Sequence, residues 1–321
     1  MQVLRDPLGD DRPTRGGVLS IGNFDGVHLG HQAILGHVAD RAASLSVPAA
    51  AMTFDPHPVK LLRPSHAPRL VTTLEQRLEL IGRTGVETTL VVPFTHRLAR
   101  MEAEAFVREV LVDRLAVREV YIGRNFRFGA DRRGDVDMLR ALGHALGFEA
   151  DAAPIVEVGG EAVSSTRVRQ AVGSGDVSTA GELLGRAHFL DGQVAEGRRL
   201  GRTLGFPTLN LDCDNELLPT GGVYVTVVHI PKMGRVFPAV TNVGVRPTVS
   251  DERMLSIETH VLDFSADVYG ERVRLFLLDR LRDERRFESI TQLTEQIGHD
   301  VRDARAWFAR RPVESLELVH A

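Results

Sequence analysis

The chain has 321 residues, of which 43% are hydrophobic and 26% charged, with a formal net charge of -4 and one cysteine. That length exceeds what a single hydrophobic core usually fills, so two domains are expected, and the composition is that of a folded globular protein rather than a disordered or fibrous one. The acidic balance argues against a general basic field for nucleic acid, Cys213 alone can form neither an intramolecular disulfide nor a CxxC metal site, and no run is apolar enough to span a bilayer. The start, residues 1–15, is polar and unlike a signal segment, so a cytoplasmic protein is predicted.

From residue 17 to about 186, short apolar runs alternate with helical periodicity, the pattern of βαβ units on a parallel sheet. A strand is expected over 18–21, then a helix over 31–45 whose buried face carries Ile34, Leu35, Val38 and Leu45. Further strands are expected at 49–54, 88–92, 119–122 and 150–155. Helices fall between them, one opening on a capping-box pattern from Thr72 to Glu75 and closing near Gly85. After about residue 187 the texture changes to β-rich runs at 223–230, 235–240, 256–262 and 272–278, separated by Gly, Pro and Asp turns. That spacing predicts a small antiparallel barrel. The last element, 290–310, has helical spacing through Leu293, Ile297, Val301 and Trp307 and is expected to close against the barrel. The predicted domains are therefore 1–186 and 187–321. Lys60 and Lys232 are the only lysines and neither follows a GxxxxG, which excludes a P-loop nucleotide site.

The turn after the first expected strand reads Gly22-Asn23-Phe24-Asp25-Gly26-Val27-His28-Leu29-Gly30-His31. It sits where a doubly wound sheet opens its ligand crevice. Glycines allow close backbone approach, the following helix offers free N–H groups to an anion, and His28 and His31 could both donate to phosphate oxygens. Taken alone, the two histidines could equally be a metal pair or solvent-facing side chains. The ten-residue string resembles the signature of the HxGH nucleotidyltransferase superfamily, in its FAD synthetase branch. Three more segments resemble that branch in order. They are Thr53-Phe54-Asp55-Pro56-His57-Pro58, then Ile122-Gly123-Arg124-Asn125-Phe126-Arg127-Phe128-Gly129, where the family often has Asp for Asn125, and Ser164-Ser165-Thr166-Arg167-Val168-Arg169. By itself the last reads as an ordinary helix start capped by Ser165 or Thr166, with Arg167 or Arg169 available to a leaving pyrophosphate. The resemblance implies that this domain joins FMN to ATP, with His28 and His31 catalytic. It implies Gly22, Asn23, Phe24, Asp25, His57, Asn125, Ser165, Thr166, Arg167 and Arg169 as nucleotide-binding. Phe54, Phe126 and Phe128 are candidate aromatic contacts to a ligand, although core packing more often explains a phenylalanine.

In the second domain, Gly197-Arg198-Arg199-Leu200-Gly201-Arg202-Thr203-Leu204-Gly205-Phe206-Pro207-Thr208-Leu209-Asn210 resembles the riboflavin kinase signature GRGRxLGFPTAN, with Leu209 in the alanine position. Thr208 and Asn210 are two apart on an extended segment and so point to one side, and their oxygens suit one Mg²⁺ bridging ATP phosphates. Segments 219–224 and 241–248, with Glu258-Thr259-His260 and Tyr269-Gly270, resemble the same family in order. Glu258 matches its proposed general base, which would accept the proton of the attacking ribityl hydroxyl. Without those neighbours, a lone Glu in an alternating strand is an exposed residue. The resemblance adds Gly205, Pro207, Thr208 and Asn210 to the nucleotide-binding set, with Thr208 and Asn210 as metal ligands. Together the matches run from about Gly17 to Trp307 in the domain order of the prokaryotic bifunctional riboflavin kinase/FAD synthetase family. They imply a Rossmann-like α/β domain followed by a β-barrel kinase domain, with ATP, riboflavin, FMN and FAD as substrates or products, Mg²⁺ as cofactor, and neither nucleic acid nor membrane as partner.

Overall fold

A computed structural model of the chain describes residues 1–9, 15–196, 201, 204–246, 254–316 and 318, the side chains of 245, 246, 254 and 255 excepted. The signature residues Gly197, Arg198, Arg199, Leu200, Arg202, Thr203, Pro247 and Thr248 lie outside the described residues. The chain forms two compact units, Met1–Ser165 and Thr166–Ala321. No described helix is long and apolar enough to cross a membrane.

In the first unit, β1 (Gln2–Arg5), β2 (Val18–Ile21), β3 (Ala49–Asp55), β4 (Thr88–Pro93), β5 (Glu119–Ile122) and β6 (Glu149–Ala152) make one parallel sheet in the order β1-β4-β3-β2-β5-β6. β2 is buried throughout, and β3 and β4 all but their last residue, as a parallel sheet covered on both faces requires. The chain builds outward from β2 through β3 to β4, then returns to place β5 on the other side of β2. The carboxyl ends of β2 and β5 therefore flank the switch point where such sheets take ligands. β1 has no counterpart in the expected strands: four mostly exposed residues at a sheet edge carry no periodic signal. β6 ends at Ala152, short of 155, because Pro154 can donate no ladder bond; Ile155 is exposed.

The helices of this unit are α1 (Leu29–Leu45), α2 (Pro58–Leu62), α3 (Leu74–Gly82), α4 (His96–Ala99), α5 (Ala103–Ala105), a π-helical stretch Phe106–Arg114, and α6 (Val136–Leu146). α1 buries Ile34, Leu35, Val38 and Ala42, while Leu45 is half-buried. Val38 and Ala42 pack on Val18 and Ala49, and Arg41 pairs through its Nε with Glu119 of β5 at 3.0 Å. That hydrogen bond holds the Glu119 carboxyl below the usual carboxylate range. The main core lies against Leu19, Ile21, Met52 and Leu90 and takes in Phe106, Leu111 and Leu139. The capping box of α3 is Thr73 with Gln76, one residue later than expected, because the Thr72 hydroxyl is already engaged by the Gly26 N–H. A small hairpin, β7 (Glu157–Val158) and β8 (Glu161–Ala162), precedes the end of the unit.

The second unit takes in α7 (Ser165–Ser174) from Thr166 onward and α8 (Val177–Leu184), which the sequence reading assigned to the first domain. β9 (His188–Ala195), β10 (Leu209–Cys213), β11 (Gly222–Ile230), β12 (Arg235–Arg246), β13 (Met254–Val261) and β14 (Arg272–Asp283) follow. They close an antiparallel barrel in the order β10-β13-β12-β11-β14-β9. The last helix, α9, spans Ile290–Arg310 as expected. Alternation along the strands separates two apolar clusters. Tyr224, Val228, Ala239, Val243, Ile257 and Val261 fill the lumen, while Val223, Val225 and Val240 face outward onto Trp307 and Ala304 of α9. β11 is consequently buried at all nine positions and is mostly apolar, with Thr226 and His229 as its polar members. Three lumen hydroxyls satisfy one another, with Thr226 to Thr241 at 2.8 Å and Thr241 to Thr259 at 2.9 Å. Cys213 packs with the lumen cluster, and burial pushes its thiol up to about 12.

Candidate active sites

The turn at the end of β2 is held in an unusual backbone path. Phe24 and Val27 take positive φ (48° and 39°) along with Gly26 (83°), and a Cβ on Gly22 would lie 3.0 Å from the Phe24 ring. The Asp25 carboxylate, 1% exposed, fixes that path by accepting from the Val71 amide at 2.9 Å and the Thr72 amide at 3.2 Å. Ser165 donates to the Asp25 carbonyl at 2.9 Å, and Thr53 of β3 donates to the Asn23 carbonyl at 3.2 Å. Three of the four motif segments thus meet at one place.

His28 is the N-cap of α1: its Nδ1 accepts from the His31 amide at 3.3 Å, which starts the helix at Leu29 rather than at 31. His57 does the same for α2, accepting from the Val59 amide at 3.3 Å. In a neutral ring this leaves the proton on Nε2 of both imidazoles. The His28 and His31 rings stack at 3.6 Å with 17° between planes, and Phe24 meets His31 edge-on at 5.3 Å. Gly30 makes room for that stack, since a Cβ there would lie 3.2 Å from the His28 ring. Imidazole N–H donors beside the turn's main-chain N–H groups form a surface suited to phosphate oxygens.

Other expected residues fall differently. Ser165 and Thr166 are already inside α7, so the cap precedes them, and Thr166 is exposed. Arg167 and Arg169 are half-buried on α7, and Asn125 is exposed in the loop after β5. Phe54 and Phe128 are core residues, 7% and 8% exposed, and Phe126 packs against the same cluster. The aromatic surface of Phe54 and Phe128 is taken up by the fold. Arg77 was missed: it is 1% exposed and donates to the Thr53 hydroxyl and the Phe54 carbonyl, both at 3.3 Å, bracing the end of β3. An arginine in an amphipathic helix reads as a solvent residue, so nothing in the sequence marked it.

The second site lies on the outside of the barrel. A cleft of about 300 Å³ runs between the strands and α9, lined by Thr208, Asn242, Glu258 and Arg282 on one side and Leu293, Ile297 and Val301 on the other. Register explains the grouping: Asn210 and Asn242 both stand opposite Glu258, and directly opposed residues share a face. Thr208 precedes β10 and lines the cleft directly. Gly205 has φ of 84°, turning the chain so that Phe206 donates its amide back to the Gly201 carbonyl at 2.8 Å. The Pro207 carbonyl and His260 Nδ1 lie 2.8 Å apart, with His260 edge-on to Phe206. Arg282 joins the strands to α9 through two bonds to Asp300, at 2.8 and 2.7 Å, and Asp300 is 4% exposed. Thr208 and Asn210 supply only two hard oxygen donors. No cluster of three or more His, Cys, Asp or Glu that could hold a metal occurs among the described residues. Such a set fits a cation that keeps waters and phosphate oxygens in its shell.

Comparison with known proteins finds a separate family model for each part of the chain. A family model described as FAD synthetase matches residues 10–167, and one described as riboflavin kinase matches residues 184–308. A bifunctional riboflavin kinase/FMN adenylyltransferase from Pseudomonas fluorescens is 42% identical over 310 residues, covering 96% of this chain and 98% of the relative. The enzyme of the same description from Escherichia coli K12 is 38% identical over 297 residues, covering 92% and 94%. A crystal structure described as a macrolide-efflux protein from Streptococcus pneumoniae superposes with a TM-score of 0.87 at 30% identity, covering 96% of this chain and 100% of that one. Its description names an activity that neither family model nor either of those relatives shares. With both models matched in order and near-complete coverage by the curated relatives, the chain belongs to the bifunctional riboflavin kinase/FMN adenylyltransferase family.

Proposed function

We propose that the chain makes FAD from riboflavin in two ATP-dependent steps, riboflavin kinase in residues 187–321 and FMN adenylyltransferase in residues 1–186, and that it does so in the cytoplasm on small-molecule substrates alone. The observation that carries the reading is the in-order match of both family models. In the kinase step, Glu258 takes the proton of the terminal ribityl hydroxyl as its oxygen bonds to the γ-phosphorus of ATP; the bridging P–O bond breaks and ADP leaves. The position of Glu258 in the cleft, opposite Asn210 and Asn242, supports that role. Thr208 and Asn210 would hold Mg²⁺, with Gly205 and Pro207 shaping the nucleotide loop. The ion would neutralise charge on the transferring phosphoryl group.

In the second step an FMN phosphate oxygen attacks the α-phosphorus of ATP and pyrophosphate leaves. His28, His31 and His57 donate to phosphate oxygens, the backbone of Gly22, Asn23 and Phe24 approaches the nucleotide, and Asp25 acts by holding that backbone in place. Asn125, Ser165, Thr166, Arg167 and Arg169 enter as phosphate-binding residues on their match to the family motifs alone. No covalent enzyme intermediate is required, so catalysis rests on positioning and charge stabilisation.

Separate assays of the full chain with riboflavin plus ATP and with FMN plus ATP test the reading. His28→Ala or His31→Ala should abolish FAD formation and spare FMN formation, and Glu258→Ala should do the reverse. Undiminished FAD synthesis in both histidine variants refutes the first site. Calorimetry of ATP binding with and without EDTA tests the metal, and identical isotherms refute it.

A further inference from the structure

A second carboxylate lines the outer cleft, and no signature residue accounts for it. Glu284 follows β14 directly and shares the cleft with Glu258 and Asn242. Each of its carboxylate oxygens is set against a glycine. A Cβ on Gly244 would lie 2.5 Å from Oε1, and one on Gly221 3.2 Å from Oε2. A methyl group at 244 would displace this carboxylate, so hydrogen there is what gives it room. The Asn242 amide nitrogen lies 3.0 Å from the same point beside Gly244, so amide and carboxylate converge on one spot. Among the described residues Glu284 has no hydrogen-bond or ion-pair partner of its own.

The cleft therefore carries two carboxylates, Glu258 and Glu284, together with the Asn242 amide, beside an apolar wall of Phe287, Leu293 and Ile297. That division fits a molecule with a flat apolar body and a polyhydroxylated chain. A carboxylate accepts from neighbouring hydroxyls and repels phosphate, so at this point it sorts the polyol from the triphosphate. We propose that Glu284 binds secondary hydroxyls of the ribityl chain and is a specificity-determining residue for the flavin substrate. The assignment rests on the kinase reading above.

The test is steady-state kinetics of the full chain, comparing the unaltered protein with Glu284→Gln and Gly244→Ala, each with riboflavin and with an analogue lacking one secondary ribityl hydroxyl. Gly244→Ala displaces the carboxylate without removing it, and because the crowded atom ends a flexible side chain the fold should tolerate it. Both variants should lose about tenfold or more in kcat/KM for riboflavin, mainly through KM, with the KM for ATP within about twofold. The deoxy analogue should be penalised less in the variants than in the unaltered chain. FAD formation from FMN and thermal unfolding should stay unchanged, which separates lost recognition from lost folding. An unchanged riboflavin KM in both variants overturns the assignment, as does a deoxy penalty equal in all three proteins. A shift in Mg²⁺ requirement with riboflavin KM intact makes Glu284 a cation ligand and also overturns it. No riboflavin phosphorylation by the unaltered chain overturns the kinase reading itself.

Discussion

Asp25 sits inside the nucleotidyltransferase signature, yet the structure turns its side chain inward, and Asp25→Ala separates the two interpretations. The substitution leaves the Val71 and Thr72 amides, now bonded at 2.9 and 3.2 Å, without their acceptor in a buried place. Each stranded amide costs about 1–3 kcal/mol, so a loss of roughly 2–6 kcal/mol is expected in the first unit. At the size of that unit the midpoint of its unfolding should fall on the order of 10 °C. Asp25→Asn keeps an oxygen acceptor and should recover most of it. The assay is thermal and urea unfolding of both variants, paired with FAD and FMN formation measured well below the transition. FAD formation should fall with the loosened turn and FMN formation should hold. An Asp25→Ala protein as stable as the unaltered one, with ATP binding abolished, would refute the pin and make the carboxylate a ligand contact.

Gly129 has φ 72° and ψ 177°, a region that side chains essentially do not enter, and a Cβ there would lie 2.5 Å from the Ala103 Cα. Gly129→Ala should cost about 3 kcal/mol by urea unfolding, and a neutral result would show the loop seated elsewhere. Asp300→Ala strands the Arg282 guanidinium beneath α9, with a cost of about 3 kcal/mol and a raised riboflavin KM, while adenylylation of FMN is unaffected. His188 is buried without a partner at Nε2, and desolvation, helped by Arg186, lowers its pKa to about 3. The unfolded chain therefore takes up a proton near pH 6.5 that the folded one refuses. Stability should be full above that pH and fall at about 1.4 kcal/mol per unit toward pH 3. Urea midpoints at pH 7.5, 6 and 5 should show this slope flattened in His188→Leu, and equal slopes would place the titration elsewhere.

Much of the architecture was legible because burial imposes period. Strands β2 and β5 and helix α9 fall where expected, since each carries an uninterrupted apolar pattern bounded by turn residues. What escaped is tertiary in origin. The choice between Thr72 and Thr73 as cap depends on which hydroxyl a loop 46 residues away has taken. Histidine is not a usual cap, so the role of His28 in starting α1 was invisible even though its place in the motif was not. The lining of the outer cleft is legible only once register sets Asn242 opposite Glu258, and Glu284 only once Gly244 of β12 and Gly221, just before β11, are brought beside it.

Because the lumen is a solid plug, the residues that hold the barrel shut and those that meet a substrate alternate along the same strands. On β12, Thr241 and Val243 point one way and Val240 and Asn242 the other. A slip of one position would bury the reactive side chains and expose the plug. The linked hydroxyls of Thr226, Thr241 and Thr259 therefore serve as an alignment key, for the β12–β13 pairing that sets Thr241 opposite Thr259 also brings Asn242 level with Glu258.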